Sequence, residues 1–333
     1  MQNSYNNSLN TKHSLLQALP IGYCFKEFEI EKVVGKGGFG IVYRAWDHSK
    51  QCSVAIKEYL PSMIAVRRND LKLKLRYPNF QERFRIGLHS FMREAHIMTC
   101  FNHPCLPRFI RFWQQNSTAY IATPFYHGIT LKVLQAKYAK VVTQNWLCRI
   151  LPPLLDAINT LHQAGYLHCD ISLDNILLQN DRLPVLLDLG SARKIAERLS
   201  NEEEITIRPG FTPCEQYTTN EEGQQGPWSD IYALGAVLHT LIVGKPPPVS
   251  IVRNIEDHYQ PLTERCLTGY SLSFLHAIDC MLAIKTAERP SSISKLIPMI
   301  KSPIIQPSSP PKLSSPLSNI LTTCPPSEDS KQE

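Results

Sequence analysis

The sequence predicts an α+β fold in which a small β-rich N-terminal lobe precedes a larger α-helical C-terminal lobe. From Phe28 to about Phe125, short β-branched or alternating runs such as FEIEKVV, GIVYRAW and CSVAIKEYL favour strands, and the segment FRIGLHSFMREAHIMTCF interrupts them at helical spacing. From about Val133 onward helical patterns dominate: LLDAINTLHQAG ends at Gly165, and SDIYALGAVLHTLIVG ends at Gly244. A length of 333 residues fits one two-lobed domain or about two domains of roughly 150 residues.

Composition predicts where the folded part begins and ends. The chain is 43% hydrophobic and 19% charged, so it can bury a sizeable core. Residues 1–18 are rich in Asn and Ser and are expected to be flexible, while residues 301–333 contain seven Pro and eight Ser and are expected to form a disordered tail. The folded part is therefore predicted over 19–300, with an N-lobe of about 28–124 and a C-lobe of about 125–300. Its Ser-Pro pairs are candidate phosphoacceptors or ligands for a partner protein, with a plain solvated tail as the favoured alternative.

Membrane and nucleic-acid functions are not favoured. The longest apolar stretch, Ile231 to Val243, is shorter than the roughly 20 residues that a membrane span needs, and the N-terminus lacks the pattern of a secretory signal. The net charge is +6, and the basic run from Arg67 to Arg76 alternates with Leu, which favours the solvated face of a strand or helix over a nucleic-acid surface. Ten scattered cysteines without a CxxC pair predict a reduced, cytoplasmic protein. Delivery into a host cell by a route without a signal peptide stays open.

The first motif with chemical meaning is GKGGFGIVY, in which Gly35, Gly37 and Gly40 have G-x-G-x-x-G spacing. Glycine lets backbone amides approach a polyphosphate without a Cβ in the way. A dinucleotide-binding turn shares this spacing but leads from a strand into a helix. Here the β-branched and aromatic run IVYRAW follows, so the glycines are predicted to form the tip of a β-hairpin that covers a nucleotide phosphate, with a purely structural hairpin as the alternative.

The second motif is VAIKEYL, in which Lys57 lies within an apolar strand. An unpaired charge at such a position is costly, so the lysine needs a partner. Glu94, on the amphipathic helix of the same lobe, is the natural candidate. The alternative is an edge-strand lysine that points to solvent.

The third motif combines HCDISLDNILL, which contains Asp170 and Asn175, with PVLLDLGSAR, in which Asp188 ends an apolar run. Oxygen ligands from two short strands suit Mg²⁺ that also contacts phosphate oxygens. Asp170 lies where a carboxylate could accept a hydroxyl proton.

In the order and spacing of these motifs, followed by PGFTPCEQ, WSDIYALG and AERP, the sequence resembles eukaryotic-type serine/threonine protein kinases of the bacterial subgroup over roughly residues 28–300. The resemblance implies the bilobal protein-kinase fold and an ATP-dependent protein-serine/threonine kinase. It implies ATP and Mg²⁺, with Mn²⁺ as an alternative, as cofactors, and a protein with a Ser or Thr acceptor as substrate.

The resemblance also assigns roles to residues. Lys57, held by Glu94, contacts the α- and β-phosphates, Asp170 orients and deprotonates the acceptor hydroxyl, and Asn175 and Asp188 hold the metal. The residues implied for the nucleotide form the glycine loop and an adenine slot: Gly35, Lys36, Gly37, Gly38, Phe39, Gly40, Val42, Ala55, Thr123 and Leu177. It further implies that Glu215 pairs with Arg289, and that Asp230 caps the catalytic loop.

Three positions depart from the family pattern. Cys169 replaces the arginine that precedes the catalytic aspartate and normally receives a phosphorylated activation-loop residue, so activity is predicted not to depend on phosphorylation of that loop at Thr206 or Thr212. Ser172 replaces the lysine that stabilises the transferring phosphate. These departures keep a pseudokinase or ATP-binding scaffold open as an alternative, and a small-molecule kinase is a second one. Leu189 replaces the aromatic residue of the metal motif and should fill the same apolar slot.

Overall fold

A computed structural model describes residues 17–180, 183–195, 206–217 and 224–300, which divide into two compact units. The first unit is made of described residues up to 103 together with 107–126, and the second of 104–106 together with described residues from 127 onward. Most of the strand residues lie in the first unit and most of the helices in the second. This order confirms the predicted α+β class.

The first unit is built mainly of strands, which are β1 (Cys24–Phe25), β2 (Phe28–Lys36), β3 (Gly40–Asp47), β4 (Cys52–Tyr59), β5 (Ala65–Arg67), β6 (Leu73–Leu75), β7 (Arg111–Gln115) and β8 (Thr118–Pro124). Six of them form one antiparallel sheet in the order β1-β2-β3-β4-β8-β7. In β3, buried and half-buried residues alternate strictly, as expected when successive side chains point to opposite faces of a sheet. The fully buried face carries large side chains such as Tyr43, Ile56 and Tyr120, and Trp113 stacks on Tyr120 at 5.2 Å between ring centroids.

The basic run forms the separate hairpin β5–β6, and α1 (Gln81–Thr99) follows it. The exposed side chains of this hairpin include Arg68, Lys72 and Lys74, as the alternation with Leu predicts. Arg67 is an exception, because it is buried and its guanidinium donates to the carboxylate of Glu58 at 2.5 Å. The hairpin is thus anchored to the main sheet by a buried ion pair.

Helices dominate the second unit. They are α2 (Leu131–Tyr138), α3 (Gln144–Gln163), α4 (Pro227–Val243), α5 (Ser250–Ile255), α6 (Leu272–Met281) and α7 (Ile293–Ile300). Every residue of α4 from Ser229 to Leu241 is buried, which is typical of a central helix that is apolar on all sides. It ends at Gly244, whose φ of +89° is readily adopted by glycine. The helix α3 begins earlier than the LLDA motif suggests, because Thr143 caps it by accepting from the Trp146 amide at 3.2 Å.

Short strands in the second unit position the remaining functional motifs. They are β9 (Gly128–Thr130), β10 (Tyr166–Leu167), β11 (Ile176–Gln179), β12 (Pro184–Leu186) and β13 (Arg193–Lys194). The strands β12, β11 and β9 form one small antiparallel sheet, and β10 pairs with β13. The segment 168–175 therefore connects two strands, and Asp188 lies two residues after the end of β12.

Within the described ranges, the structure contains no helix that is both long and apolar enough to cross a membrane.

Candidate active site

In the first unit, the glycine motif lies at the hairpin between β2 and β3, as the sequence predicts, and a hydrogen bond from the Gly37 amide to the Gly40 carbonyl closes it at 2.9 Å. Gly40 is required by packing, because a Cβ there would lie 2.3 Å from the backbone oxygen of Glu58. Gly37 and Gly38 are different: an added Cβ would meet nothing within 4 Å, and neither residue has a left-handed φ. The fold itself does not need glycine at these two positions, which is consistent with a backbone that must approach a ligand closely.

The structure brings Lys57 and Glu94 together. The Lys57 Nζ lies 2.7 Å and 2.9 Å from the two carboxylate oxygens of Glu94, on α1. Glu94 is buried, whereas about a quarter of the Lys57 side chain is exposed, at 28%. A charged hydrogen bond of this kind fixes the lysine while leaving part of it accessible.

Three residues predicted for the adenine slot lie on neighbouring strands of the same sheet. Ala55 is directly opposite Thr123 on β8, and Val42 on β3 is directly opposite Lys57. Ala55 and Lys57 are two residues apart in β4 and therefore share its half-buried face. Leu177, the fourth, is a half-buried residue of β11 in the second unit and pairs with Thr130.

In the second unit, Asp170 and Asn175 form one hydrogen-bonded pair. The Asn175 Nδ2 donates to the Asp170 Oδ2 at 2.7 Å and to the Asp170 backbone oxygen at 2.9 Å. The Asp170 amide donates to the His168 Nδ1 at 3.2 Å, so the His168 Nε2 carries the proton that is donated to the Leu187 oxygen at 3.1 Å. The loop is thereby joined to the segment that contains Asp188.

Asp188 lies beside this pair because β11 and β12 are antiparallel. The Leu187 amide donates to the Asn175 carbonyl at 2.7 Å, immediately next to Asp188. The backbone of Asp188 has a φ of +61°, and its Oδ1 accepts from the Gly190 amide at 3.1 Å. Leu189 is fully buried and occupies an apolar position, as predicted.

The donor atoms near Asn175 and Asp188 fit a magnesium ion. The side-chain nitrogen of Asn175 contacts Asp170, so the side-chain oxygen of Asn175 points to a different place and can serve as a ligand. Asp188 supplies carboxylate oxygens. Hard oxygen ligands of this kind are what Mg²⁺ prefers, and the usual Mg²⁺ site uses one or two protein carboxylates together with phosphate and water oxygens. The part of the chain that the structure describes contains no cluster of three or more His, Cys, Asp or Glu suited to another kind of metal site.

Asp230, at the start of α4, holds the loop 168–175, as predicted. Its carboxylate accepts from the amides of His168 and Cys169, at 2.8 Å and 2.9 Å, and from the His162 Nε2 at 2.8 Å. Complete burial would raise the pKa of Asp230, but these donors, His162 first, outweigh it and hold the pKa below its ordinary value. The carboxylate therefore stays ionised while it fixes the loop.

The predicted pair between Glu215 and Arg289 is also present. The two side chains are buried and joined by hydrogen bonds of 2.7 Å and 3.2 Å. Ser229 adds a hydrogen bond to the same carboxylate at 2.8 Å. This pair ties the segment around Glu215 to the helical core.

The structure adds two arginines that the sequence did not assign to the site. Arg208 donates to both carboxylate oxygens of Asp170, from Nε and, at 2.9 Å, from a terminal nitrogen, and the hydrogen bond raises the pKa of Arg208. Arg193 donates from Nε to the Sγ of Cys169 at 3.2 Å. Burial raises the pKa of the Cys169 thiol to about 12, so this residue is a neutral thiol at physiological pH.

The family model described as "Protein kinase domain" matches residues 28–298, which is most of the chain. Among curated proteins, the serine/threonine-protein kinase PknD of Protochlamydia amoebophila is 28% identical over 256 residues, covering 69% of this chain and 24% of PknD. The serine/threonine-protein kinase PLK4 of Drosophila yakuba is 25% identical over 236 residues, covering 70% of this chain and 28% of PLK4. The chain thus spans about a quarter of the length of these curated relatives.

Two solved structures are similar to the chain. The apo form of PpkA-294 has a TM-score of 0.79 and 55% sequence identity, over 86% of this chain and all of that one. The kinase domain of M. tuberculosis PknI has a TM-score of 0.59 and 20% identity, over 85% of this chain and 98% of that one, and it supports the fold alone.

Proposed function

Because the chain belongs to the protein kinase family, we propose that it is a serine/threonine protein kinase that transfers the γ-phosphoryl group of ATP to hydroxyl groups of proteins. The observation that carries this proposal is the hydrogen-bonded pair of Asp170 and Asn175 next to Asp188, because it holds a base and two metal ligands in one small region. Such transfer depends mainly on positioning and on charge neutralisation, which a few fixed side chains supply.

In the proposed reaction Asp170 orients the acceptor hydroxyl and takes its proton. The hydroxyl oxygen bonds to the γ-phosphorus while the bond from that phosphorus to the β–γ bridging oxygen breaks, and ADP leaves. Asn175 and Asp188 would hold Mg²⁺ or Mn²⁺. When it is bound, that ion neutralises phosphate charge that develops during transfer.

The first unit supplies the proposed contacts to the nucleotide. Lys57, fixed by Glu94, contacts the α- and β-phosphates, and amides of the glycine loop cover the phosphates. Val42, Ala55 and Thr123 supply the proposed contacts of this unit to the adenine ring. The paired lysine and the two glycines that packing does not require support this assignment.

A γ-phosphate transfer assay that compares the wild type with Asp170→Asn tests the proposal. The substitution keeps the size of the side chain and should abolish transfer while leaving nucleotide binding by calorimetry intact. Lys132→Ala is a suitable control because Lys132 is an exposed cation that pairs with Asp174 at 3.0 Å. Equal transfer by the wild type and Asp170→Asn would favour the pseudokinase or scaffold alternative, which Cys169 and Ser172 suggest.

The small-molecule kinase alternative is tested by the product. Mass-spectrometric mapping after self-incubation should find phosphoserine or phosphothreonine in the wild type and none in Asp170→Asn. The buried pair of Glu215 and Arg289 supports a protein substrate, since small-molecule kinases tend to lack it.

We further propose that activity does not require phosphorylation of the activation segment. The position of the family arginine is taken by Cys169, whose thiol contacts Arg193 and cannot itself pair with a phosphate. Thr206→Ala combined with phosphatase treatment is the appropriate test, and the treated protein should keep its kcat. Thr212→Ala is less informative, because Thr212 is buried and accepts from the Arg208 amide at 2.8 Å, so its loss would disturb the fold.

Cytoplasmic location and a partner for the Pro/Ser-rich tail stay predictions. The nine cysteines among the described residues are free thiols, which supports a reducing compartment. The tail at 301–333 and its Ser-Pro pairs lie outside the described residues, as do residues 1–16.

A further inference from the structure

The loop that contains Asp170 has no cation of its own at the position where the protein kinase family usually has lysine. Ser172 stands there, and it is 2% exposed. Within the part of the chain that the structure describes, its hydroxyl oxygen has no hydrogen-bond partner. A serine provides neither the charge nor the reach of a lysine, so phosphoryl transfer at this loop needs a cation from elsewhere.

Arg208 brings a cation to the same carboxylate from a distant part of the sequence. Its guanidinium engages both oxygens of Asp170, and its third nitrogen lies 3.7 Å from Asp174. The backbone of Arg208 is fixed, because its amide donates to the Thr212 hydroxyl and its carbonyl accepts from the Phe211 and Thr212 amides. The arginine is therefore held in place by its own turn.

The contact leaves both partners able to take part in the reaction. Arg208 donates to each oxygen of Asp170 and Asn175 donates to one of them, which leaves acceptor capacity, since an ionised carboxylate accepts about four hydrogen bonds. The guanidinium has more N–H donors than these contacts use, and 32% of the side chain is exposed. Guanidinium groups bind phosphate oxygens through paired hydrogen bonds.

From this arrangement we infer that Arg208 performs the task of the missing lysine: it orients Asp170 and donates hydrogen bonds to the phosphoryl group during transfer. The inference rests on the proposed role of Asp170 as the base. Two neighbouring cations are less suited to the task, because Lys132 pairs with Asp174 on the exposed surface, and Arg193 is occupied by Cys169 and Gln225.

The test is a set of exchange variants assayed for steady-state transfer to a degenerate Ser/Thr peptide library. Arg208→Ala should lower kcat by about 100-fold, the usual effect of removing one donor that acts on the transition state, with little change in KM for ATP. Arg208→Lys should retain part of the wild-type kcat, because lysine keeps the positive charge but lacks the paired N–H donors of the guanidinium. The double variant Ser172→Lys/Arg208→Ala should recover about tenfold of the lost kcat, because a lysine returns to the loop. Lys132→Ala is the matched control and should keep the wild-type rate.

A binding measurement separates this role from a structural one. Calorimetry with ADP and aluminium fluoride, which mimics a phosphoryl group in transfer, should show weaker binding by Arg208→Ala than by the wild type. Binding of a non-hydrolysable ATP analogue should be the same for both. Equal losses for the two ligands would mean that Arg208 only supports the fold, and this outcome would overturn the inference.

The remaining outcomes distinguish the inference from the proposed function. If Arg208→Ala keeps or exceeds the wild-type kcat while Asp170→Asn is inactive, the kinase assignment survives and the role of Arg208 is wrong. A raised kcat would identify the contact as inhibitory. If the double variant Ser172→Lys/Arg208→Ala has no higher kcat than Arg208→Ala, the idea that Arg208 takes the role of a lysine at position 172 is refuted. If Asp170→Asn is as active as the wild type, the proposed function itself fails.

Discussion

The buried pair of Glu215 and Arg289 allows a sharp test of how the second unit is held together. We expect Arg289→Ala to destabilise the protein by about 3–5 kcal/mol, the usual cost of removing one partner from a buried ion pair. The carboxylate that remains is 4% exposed and keeps two neutral side-chain donors, the Ser229 hydroxyl at 2.8 Å and the Cys214 thiol at 3.6 Å. The arginine also donates to the carbonyls of Ala283 and Ile284, at 2.6 Å and 2.8 Å, so each of these acceptors loses a charged donor as well.

The assay is thermal and urea unfolding followed by circular dichroism. For a folding unit of roughly 200 residues, this loss corresponds to a Tm lower by about 6–20 °C. The matched control is Lys285→Ala, which breaks the nearby exposed pair between Lys285 and Glu288, at 3.5 Å. An exposed pair of this kind contributes about 0–1 kcal/mol, so the control should change little.

A double substitution tests the physical reason. Replacing both partners, as in Glu215→Leu/Arg289→Met, removes the uncompensated charge and should recover much of the lost stability, because the penalty comes from the unpaired carboxylate. The reasoning is refuted if Arg289→Ala is no less stable than Lys285→Ala. It is also refuted if the double variant loses more unfolding free energy than its two single substitutions lose together.

Three further predictions concern other buried groups. Cys169 should resist alkylation by iodoacetamide at pH 7.5 while the exposed Cys100 reacts, because burial raises the pKa of the Cys169 thiol to about 12; equal labelling read by mass spectrometry would contradict this. Burial lowers the pKa of His239 from 6.5 to about 4, so the unfolded chain binds a proton at this residue first and the free energy of unfolding should fall as the pH drops from 6.5 to 4. In urea titrations across that range, His239→Asn should lose less unfolding free energy than the wild type. An equal loss in the two proteins would exclude this histidine as the cause. Glu58→Gln should cost about 3–5 kcal/mol of unfolding free energy because it leaves the buried Arg67 guanidinium without its carboxylate, and an unchanged Tm would show that the ion pair is dispensable.

The parts of the site that the sequence predicted are those with a local signal. Asp170 and Asn175 are five residues apart in one loop, and their hydrogen bond needs no knowledge of the rest of the chain. The pair of Lys57 and Glu94 spans 37 residues, but a lysine in an apolar strand demands a partner, and Glu94 lies on the one amphipathic helix of that lobe. The cost of burying an unpaired charge was therefore enough to identify the partner of Lys57.

The sequence contains a weaker signal for the buried hydrogen bonds of Glu58. Glu58 follows Val54 and Ile56 at a spacing of two, which places its carboxylate on the buried face of β4. Sequence alone could not name its partners, because the hydroxyls of Tyr43 and Tyr120 come from neighbouring strands, each at 2.7 Å. Strand order and register, which the alternation of residues does not determine, decide that contact.

Arg208 shows why position-by-position comparison of a sequence with a family pattern is incomplete. Comparison at positions 169 and 172 finds an arginine and a lysine replaced by Cys169 and Ser172, and this favours a loss of function. In space, each replaced position has an arginine nearby: Arg193 contacts Cys169, and Arg208 contacts the carboxylate of Asp170, two residues before Ser172. Both arginines lie more than twenty residues away in sequence, so only the path of the chain brings them to the loop. Because a transferring phosphate responds to the position of a charge and not to the residue number that supplies it, these departures are compatible with an active kinase.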